Sequence, residues 1–281
     1  MRSTEDPDPG TFRESIRSLL AAEPIFTNVM ATVVDSPPDP AHAAQPPRWL
    51  RVHDDVGLVG AAIWTPPHGI LLSPMPAAAA VALADHLAKG GDRPPSVDGP
   101  SAAVAAFVER HTAGTGVRAT PGMSLRLYRL DRVEAPAAVP GRSRPATVAD
   151  RDLVLDWLDA FLAEAEPRNP RGGNGPTIDR RLAGGDLLWL REVDGRPVSF
   201  CWHSPVSDTL RISRVGMVYT PPEFRGHGYA SANVAIASQH ALDQGAEACM
   251  LYTDLANPTS NRIYQALGYR PVGDAQQWWF S

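Results

Sequence analysis

Residues 221–236 read PPEFRGHGYASANVAI, and the reading of this stretch decides the fold of the C-terminal half. Residues 215–220, VGMVYT, have the composition of a strand, and 230–244 have the small-residue make-up of a helix. Gly226 and Gly228 therefore occupy a strand-to-helix turn. There the first helical amides lack backbone partners and the positive end of the helix dipole faces outward. Glycine lets the backbone approach a bound anion closely, so the turn is suited to a diphosphate. Gly226, Gly228 and the small Ala230 permit that approach, and Arg225 adds charge. A Walker loop would need Gly-Lys-Ser/Thr, which is missing here. The dinucleotide fingerprint would need a third Gly or Ala where Ser231 stands, and its acidic residue sooner than Asp254. On these residues alone a phosphate cradle and a plain tight connection both stay open.

A second motif follows the next strand. In LYTDLANPTSNRIYQALGY, residues 251–269, Asn257 is a natural N-cap, Pro258 sits at the first helical position and Gly268 is the stop. Ser260 and Tyr264 are four residues apart and share one face of that helix. Taken alone, Tyr264 could equally be a core tyrosine with a wet hydroxyl. Together the two motifs resemble the GNAT superfamily of N-acetyltransferases. RGHGYA fits its Arg/Gln-x-x-Gly-x-Gly/Ala loop at Arg225, Gly228 and Ala230, and NPTSNRIYQALGY fits its Asn-x-x-Ser/Ala-x-x-x-Tyr helix. The likeness in element order spans about 145–281, and at motif level it is confined to 215–270.

Outward from the motifs, periodicity and chain breakers give two similar passes of elements. In the second, RPATVAD reads as a strand, Asp150 as a cap for the helix RDLVLDWLDAFLAEA, and TIDRRLAGG as a short helix. Three strands follow within 186–220. The helix from Ala230 ends at Gly245 as a left-handed cap, and YRPVG and QQWWF close the sheet as two strands. In the first pass, helices in 11–34 precede strands at RWLRVHD, VGLVGAAIWT and GILLS. Helices at 76–90 and 101–114 and the strand MSLRLYRLD complete it. The expected fold class is α/β, or α+β by some schemes. It comprises two tandem GNAT-like domains, each a mixed, mostly antiparallel sheet flanked by helices. Residues 1–130 form a degenerate copy, 131–145 a linker and 146–281 the catalytic domain. Where the first copy should carry the loop it reads LLSPMPAAAAVALA, without glycine or arginine and with prolines that remove donors. That copy is therefore expected not to bind the cofactor, and to shape the acceptor site instead.

Composition narrows the function classes. The net charge is −5 over 281 residues, which argues against a nucleic-acid partner. The N-terminus MRSTEDPDPG has no apolar leader region, and the longest apolar run stops at Asp85, too short to span a bilayer. Cys201 and Cys249 are the only cysteines, so a disulfide framework is not expected and a cytoplasmic location is. His203 and Cys201 lack any zinc spacing, and no metal is expected.

The resemblance implies acetyl-coenzyme A as co-substrate. The amides of Gly226, His227, Gly228, Tyr229, Ala230 and Ser231, with Arg225, would hold its diphosphate. Val218, Tyr219 and Thr220 would pair with the pantetheine arm, an amide there, that of Val218 first, polarising the thioester carbonyl. Asn257 would contact the pantetheine, and Ser260 and Asn261 would line it. Tyr264 would be the general acid for the leaving thiolate, since an ordinary tyrosine stays protonated at neutral pH. Some relatives place a glutamate base five residues before the asparagine; here that residue is Tyr252. Glu164, Glu166, Asp186, Glu192 and Asp254 are alternative bases, none of them singled out. The implied acceptor is an amine of a small molecule or peptide. A non-catalytic acyl-coenzyme A sensor and a transferase of longer acyl groups are the competing readings.

Overall fold

The structure is a computed structural model that describes residues 1–35, 45–165, 173–184 and 187–281. Contacts divide the chain into two units. The first holds Met1–Leu127, Thr253–Ala256 and Val272–Ser281; the second holds Tyr128–Tyr252 and Asn257–Pro271.

In the first unit the order is β1 (Arg2–Asp6), α1 (Pro9–Ser15), α2 (Arg17–Ala22), α3 (Pro24–Asp35), β2 (Arg48–His53), β3 (Leu58–Trp64), β4 (Ile70–Leu72), α4 (Ala77–Gly90), β5 (Ser96–Pro100), α5 (Ser101–Thr112) and β6 (Ala119–Leu130) up to Leu127. Strand β1, RSTED, departs from the sequence reading, which found no element there. Its residues have no apolar alternation; it is held at the sheet edge by pairing to β2 and by Arg48–Glu5 (2.8 Å) and Arg51–Asp6 (2.6 Å) ion pairs. The sheet is antiparallel except where β4 and β5 run parallel. Leu50, Ile70, Leu72, Leu83 and Phe107 form its buried centre against α4 and α5.

The second unit contains β7 (Arg142–Pro145), α6 (Arg151–Ala165), α7 (Gly175–Ala183), β8 (Leu188–Val193), β9 (Arg196–His203), β10 (Ile212–Tyr219), α8 (Tyr229–Asp243), β11 (Ala248–Asp254) up to Tyr252, and α9 (Pro258–Ala266). The expected strand 144–150 stops at Pro145. Thr147 and Asp150 then form a capping box around a short 3-10 turn, and Asp150 takes the Thr147 amide (2.8 Å) and the Arg144 guanidinium (2.8 Å). The Asp150 carboxylate is thus a partner within the turn leading into α6. Residues 142–145, inside the segment read as linker, pair with β8, and Arg144 bridges Glu192 and Asp150. At the other end of α8, Gly245 takes the expected left-handed conformation (φ +94°), and the Ala246 amide reaches back to Ala241.

The sheet of this unit separates two cores. On one face Cys201 and Val215 meet Val234 and Ala237 of α8 with Tyr264 and Leu267. On the other, Phe200 and Trp202 meet Leu158 of α6 and Ile178 and Leu182 of α7. Adjacent residues of β9 supply both, as strand alternation requires.

The last strand, β12 (Arg270–Phe280), is one element where two were read. Its final residues group with the first unit and not with residues 146–271: Ala275 to Trp279 pair with Pro100 to Ser96 of β5. Trp278 and Phe280 pack on that unit's core, and Phe280 meets His111 at 4.5 Å between rings. Among the described residues no helix is long and apolar enough to cross a membrane.

Candidate functional site

Strands β10 and β11 run parallel and pair only over Ile212–Arg214 with Ala248–Met250. Both strands continue, so they part at their C-terminal ends and leave backbone groups of β10 without a strand partner on that side. Opposite β9 the register shifts: Gly216 faces Trp202 and Tyr219 faces Phe200, so Met217 and Val218 share the single position of Cys201. This is a β-bulge, and Met217 adopts a left-handed backbone (φ +49°) that costs about 1–2 kcal/mol for a residue with a side chain. Packing of Met217 against the α6/α7 core holds the bulge in place, while Val218 turns to the core that contains Tyr264. The end of β10 is pinned by Ser199, whose hydroxyl donates to the Tyr219 carbonyl (3.0 Å) and accepts from the Thr220 hydroxyl (3.0 Å).

Beyond Thr220 the chain turns into α8 through Gly226 (φ +81°) and Gly228 (φ +78°). A side chain would strain either position. Gly228 is the N-cap residue and no side chain caps the helix. Gly226, His227 and Gly228 are exposed. An uncapped, solvent-facing first turn of a 15-residue helix is a concentration of unpaired donors and positive potential, and its backbone fits a diphosphate. A Cβ at Gly226 would meet nothing, whereas one at Gly228 would come within 2.9 Å of Val139 Cγ1. The His227 ring stacks on Tyr229 (5.4 Å between centroids). Arg225 is engaged: its guanidinium grips both oxygens of Glu164 on α6 (2.8 and 2.9 Å) and donates to the Thr220 carbonyl (2.9 Å). It therefore braces the loop, with its charge partly offset.

In the second motif Asn257 caps α9 by accepting the Ser260 amide (3.0 Å), with Pro258 first in the helix. Asn261 is used at both ends of its amide, accepting from the Tyr128 hydroxyl (2.8 Å) and donating to the Asn257 carbonyl (2.8 Å). Gln265 also donates to the Tyr128 oxygen (3.1 Å), so Tyr128 fastens α9 to the second unit. Sequence reasoning missed Tyr128, whose strand position gives no hint of this partner. Tyr264 is buried between the rings of Tyr128 (6.5 Å) and Tyr269 (5.9 Å) and lies in the same core cluster as Val218. Burial first, and the nearby Cys201 second, raise its phenol well above the ordinary tyrosine value. It is therefore a proton holder throughout the neutral range. No hydrogen bond to its hydroxyl is present among the described residues.

Of the carboxylates considered as bases, Glu164 is paired with Arg225 and Glu192 with Arg144 and Arg142. Asp254 accepts the Ala256 amide (2.8 Å). Glu166 and Asp186 lie outside the described residues. His203 is buried, with Nδ1 against Ser204 O and Ser213 Oγ. At the corresponding entrance of the first unit α4 begins after Pro76, with no glycine in the turn and the Ala79 and Ala80 amides directed to the Pro76 carbonyl.

Parting parallel strands, a bulge and an uncapped glycine-entered helix are, together, the features that set the second unit apart from the first. Residues 153–269 match the family model described as acetyltransferase (GNAT) family. The mycothiol acetyltransferase of Thermomonospora curvata is 35% identical over 29% of this chain and 27% of its own. Human N-acetyltransferase 8B is 32% identical over 32% of this chain and 41% of its own. The chain thus spans well under half of the length of these relatives. A GCN5-related N-acetyltransferase structure from Sphaerobacter thermophilus covers 99% of this chain and 95% of its own at a TM-score of 0.63 and 15% identity. That likeness is one of fold, and it extends over both units.

Proposed function

We propose that this protein is an acetyl-coenzyme A-dependent N-acetyltransferase that modifies a primary amine of a small molecule or peptide. The observation that carries the reading is the uncapped start of α8, entered through two left-handed glycines and set beside the Met217–Val218 bulge. In this reading the amides of residues 226–231 bind the diphosphate and the 218–220 edge takes the pantetheine arm. Bound acetyl-coenzyme A supplies an activated acetyl thioester. The Val218 amide donates a hydrogen bond to the carbonyl oxygen as negative charge develops there, a donor fixed in place by the bulge. Tyr264 holds a proton at its phenol oxygen for the departing sulfur. The Tyr128–Asn261–Asn257 contacts orient α9 and thereby Tyr264.

Calorimetric titration with coenzyme A and a thiol-release assay over a panel of amines test the reading. Tight coenzyme A binding with amine-dependent thiol release is the expected result; no coenzyme A binding sinks it. A second reading, a non-catalytic acyl-coenzyme A sensor, draws on the engagement of Glu164 and Glu192 by arginines, which leaves neither carboxylate unpaired as a base. Binding without thiol release from any amine would favour it.

A further inference from the structure

Arg191 of β8 is a buried cation of the second unit whose hydrogen bonds reach no carboxylate. It is 7% exposed. Among the described residues its guanidinium donates only to neutral oxygens: the Val139 carbonyl (2.8 Å), the Pro140 carbonyl (2.9 Å) and, at 3.4 Å, the Ser143 hydroxyl. Its Nε has no partner there. The adjacent carboxylate, Glu192, is held by Arg144 (2.7 Å) and Arg142 (3.7 Å). Burial lowers the Arg191 guanidinium below its ordinary value, and the Tyr229 phenol, on the first residue of α8, acts in the opposite direction. A charge that has lost water without gaining a counter-ion behaves this way.

The strand register sets this charge at the start of α8. Trp189, two residues earlier, lies in the core under α8, so strand alternation puts Arg191 on the same face. Arg191 pairs with Ser199, whose hydroxyl holds the end of β10 at Tyr219 and Thr220, where the chain leaves for the glycine turn. Val139, which Arg191 binds through its carbonyl, is also the residue whose Cγ1 a Cβ at Gly228 would meet at 2.9 Å. It therefore bridges Arg191 and the N-cap glycine of α8. Gly141 (φ +92°) has no room for a side chain, since a Cβ would stand 1.9 Å from the Glu192 carbonyl oxygen, so this segment lies directly on β8. The positive end of the α8 dipole and a buried cation are thus brought together, which costs free energy until an anion binds near both.

We propose that Arg191 is a positioning residue for the diphosphate: it clamps Val139 and Pro140 against Gly228, and its fixed charge favours an oxyanion on the α8 amides without touching it. A buried charge is screened by salt much less than an exposed one, so it can act at this remove. The inference rests on the donor reading of the α8 turn, and its test measures binding, so the two can fail separately. Full-length protein is titrated calorimetrically with coenzyme A, alone and in competition with inorganic pyrophosphate. Arg191→Gln keeps donors for the two carbonyls and loses the charge, Arg191→Lys keeps both, and Arg191→Met loses both. The neutral variants should bind coenzyme A and pyrophosphate about tenfold or more weakly than wild type, with Arg191→Lys within about threefold. A role confined to holding the 139–140 segment would leave Gln and Lys alike. Melting curves check folding, and if one neutral variant fails to melt cooperatively the other carries the comparison. Neutral variants within twofold of wild type, a neutral variant equal to Lys, or pyrophosphate that fails to compete at millimolar concentration would overturn the proposal. If the neutral variants keep their affinity while wild type releases thiol with an amine, the transferase stands and the role of Arg191 falls. Charge-dependent binding with no thiol release from any amine would leave that role standing and refute the transferase.

Discussion

Tyr264→Phe removes one oxygen from the site and leaves the ring between Tyr128 and Tyr269. No hydrogen bond to that oxygen exists among the described residues, so the substitution strands no buried partner, and stability should change by less than about 1 kcal/mol. The effect on turnover should be far larger. A positioned general acid contributes about 10²–10⁴-fold, which is about 2.7–5.4 kcal/mol at about 1.36 kcal/mol per decade. The assay is thiol release under saturating acetyl-coenzyme A and amine between pH 6 and 9, with coenzyme A affinity and melting temperature measured on the same samples. The expected outcome is a kcat lowered at least a hundredfold, with coenzyme A affinity within about threefold of wild type. The pH dependence supplies a second arm. Tyr264 and Tyr269 are both raised by burial, so each stays protonated in the fold after its unfolded counterpart ionises near pH 10. The unfolded state then binds fewer protons, and stability falls above pH 10 by up to about 1.36 kcal/mol per pH unit for each such group. Tyr264→Phe should remove one group's share of that slope. A variant with kcat within threefold of wild type across the range would refute the assignment of the acid.

Two further substitutions probe the loop and the turn into α6. Gly226→Ala and Gly228→Ala each place a side chain at a positive φ and should cost about 1–2 kcal/mol in denaturant unfolding. Gly228→Ala should cost more of the two, because its Cβ meets Val139, whose carbonyl is held by Arg191 (2.8 Å); equal losses would refute that contact. Asp150→Asn should lower stability at neutral pH by about 0.5–2 kcal/mol through loss of the capping box and the Arg144 pair. The Arg144 hydrogen bond holds the Asp150 carboxyl down to about 2, below its unfolded value near 3.9. Its stabilisation is therefore present above about pH 4 and is lost as pH falls towards 2, and the variant should lack that loss in acid titrations followed by circular dichroism.

The parts of the fold that the sequence made legible are those set by local rules. Asn257-Pro258 and Gly268 bracket α9, and Gly245 ends α8, because capping depends on a few adjacent residues. What escaped depends on partners far along the chain. Strand β1 is polar and exists through Arg48 and Arg51 more than forty residues away. The grouping of the end of β12 with the first unit is equally hidden, since an alternating terminal strand reads the same whichever β-edge receives it. The bulge is a third case. Nothing in Gly-Met-Val distinguishes a methionine forced left-handed from one in a regular strand, and only the register against β9 shows it.

The same division separates the two sides of the proposed site. A diphosphate cradle is built from backbone amides, so a sequence must spell it with residues that lack side chains at fixed spacing, and the proposed cradle rests on Gly226 and Gly228 for that reason. An acceptor pocket is built from side chains that converge from separate elements, and each reads as ordinary by itself. Any meeting of distant side chains is hidden in the same way: Arg181 sits in a short helix with Arg180 beside it, Arg214 in a strand and Trp202 among apolar neighbours. Their meeting is a property of α7 lying over β9 and β10. The donor can be common to a whole family because backbone geometry is inherited with the fold. In the proposed reading the acceptor would be set by side chains from separate elements, which the fold leaves unconstrained, and not by the glycine loop.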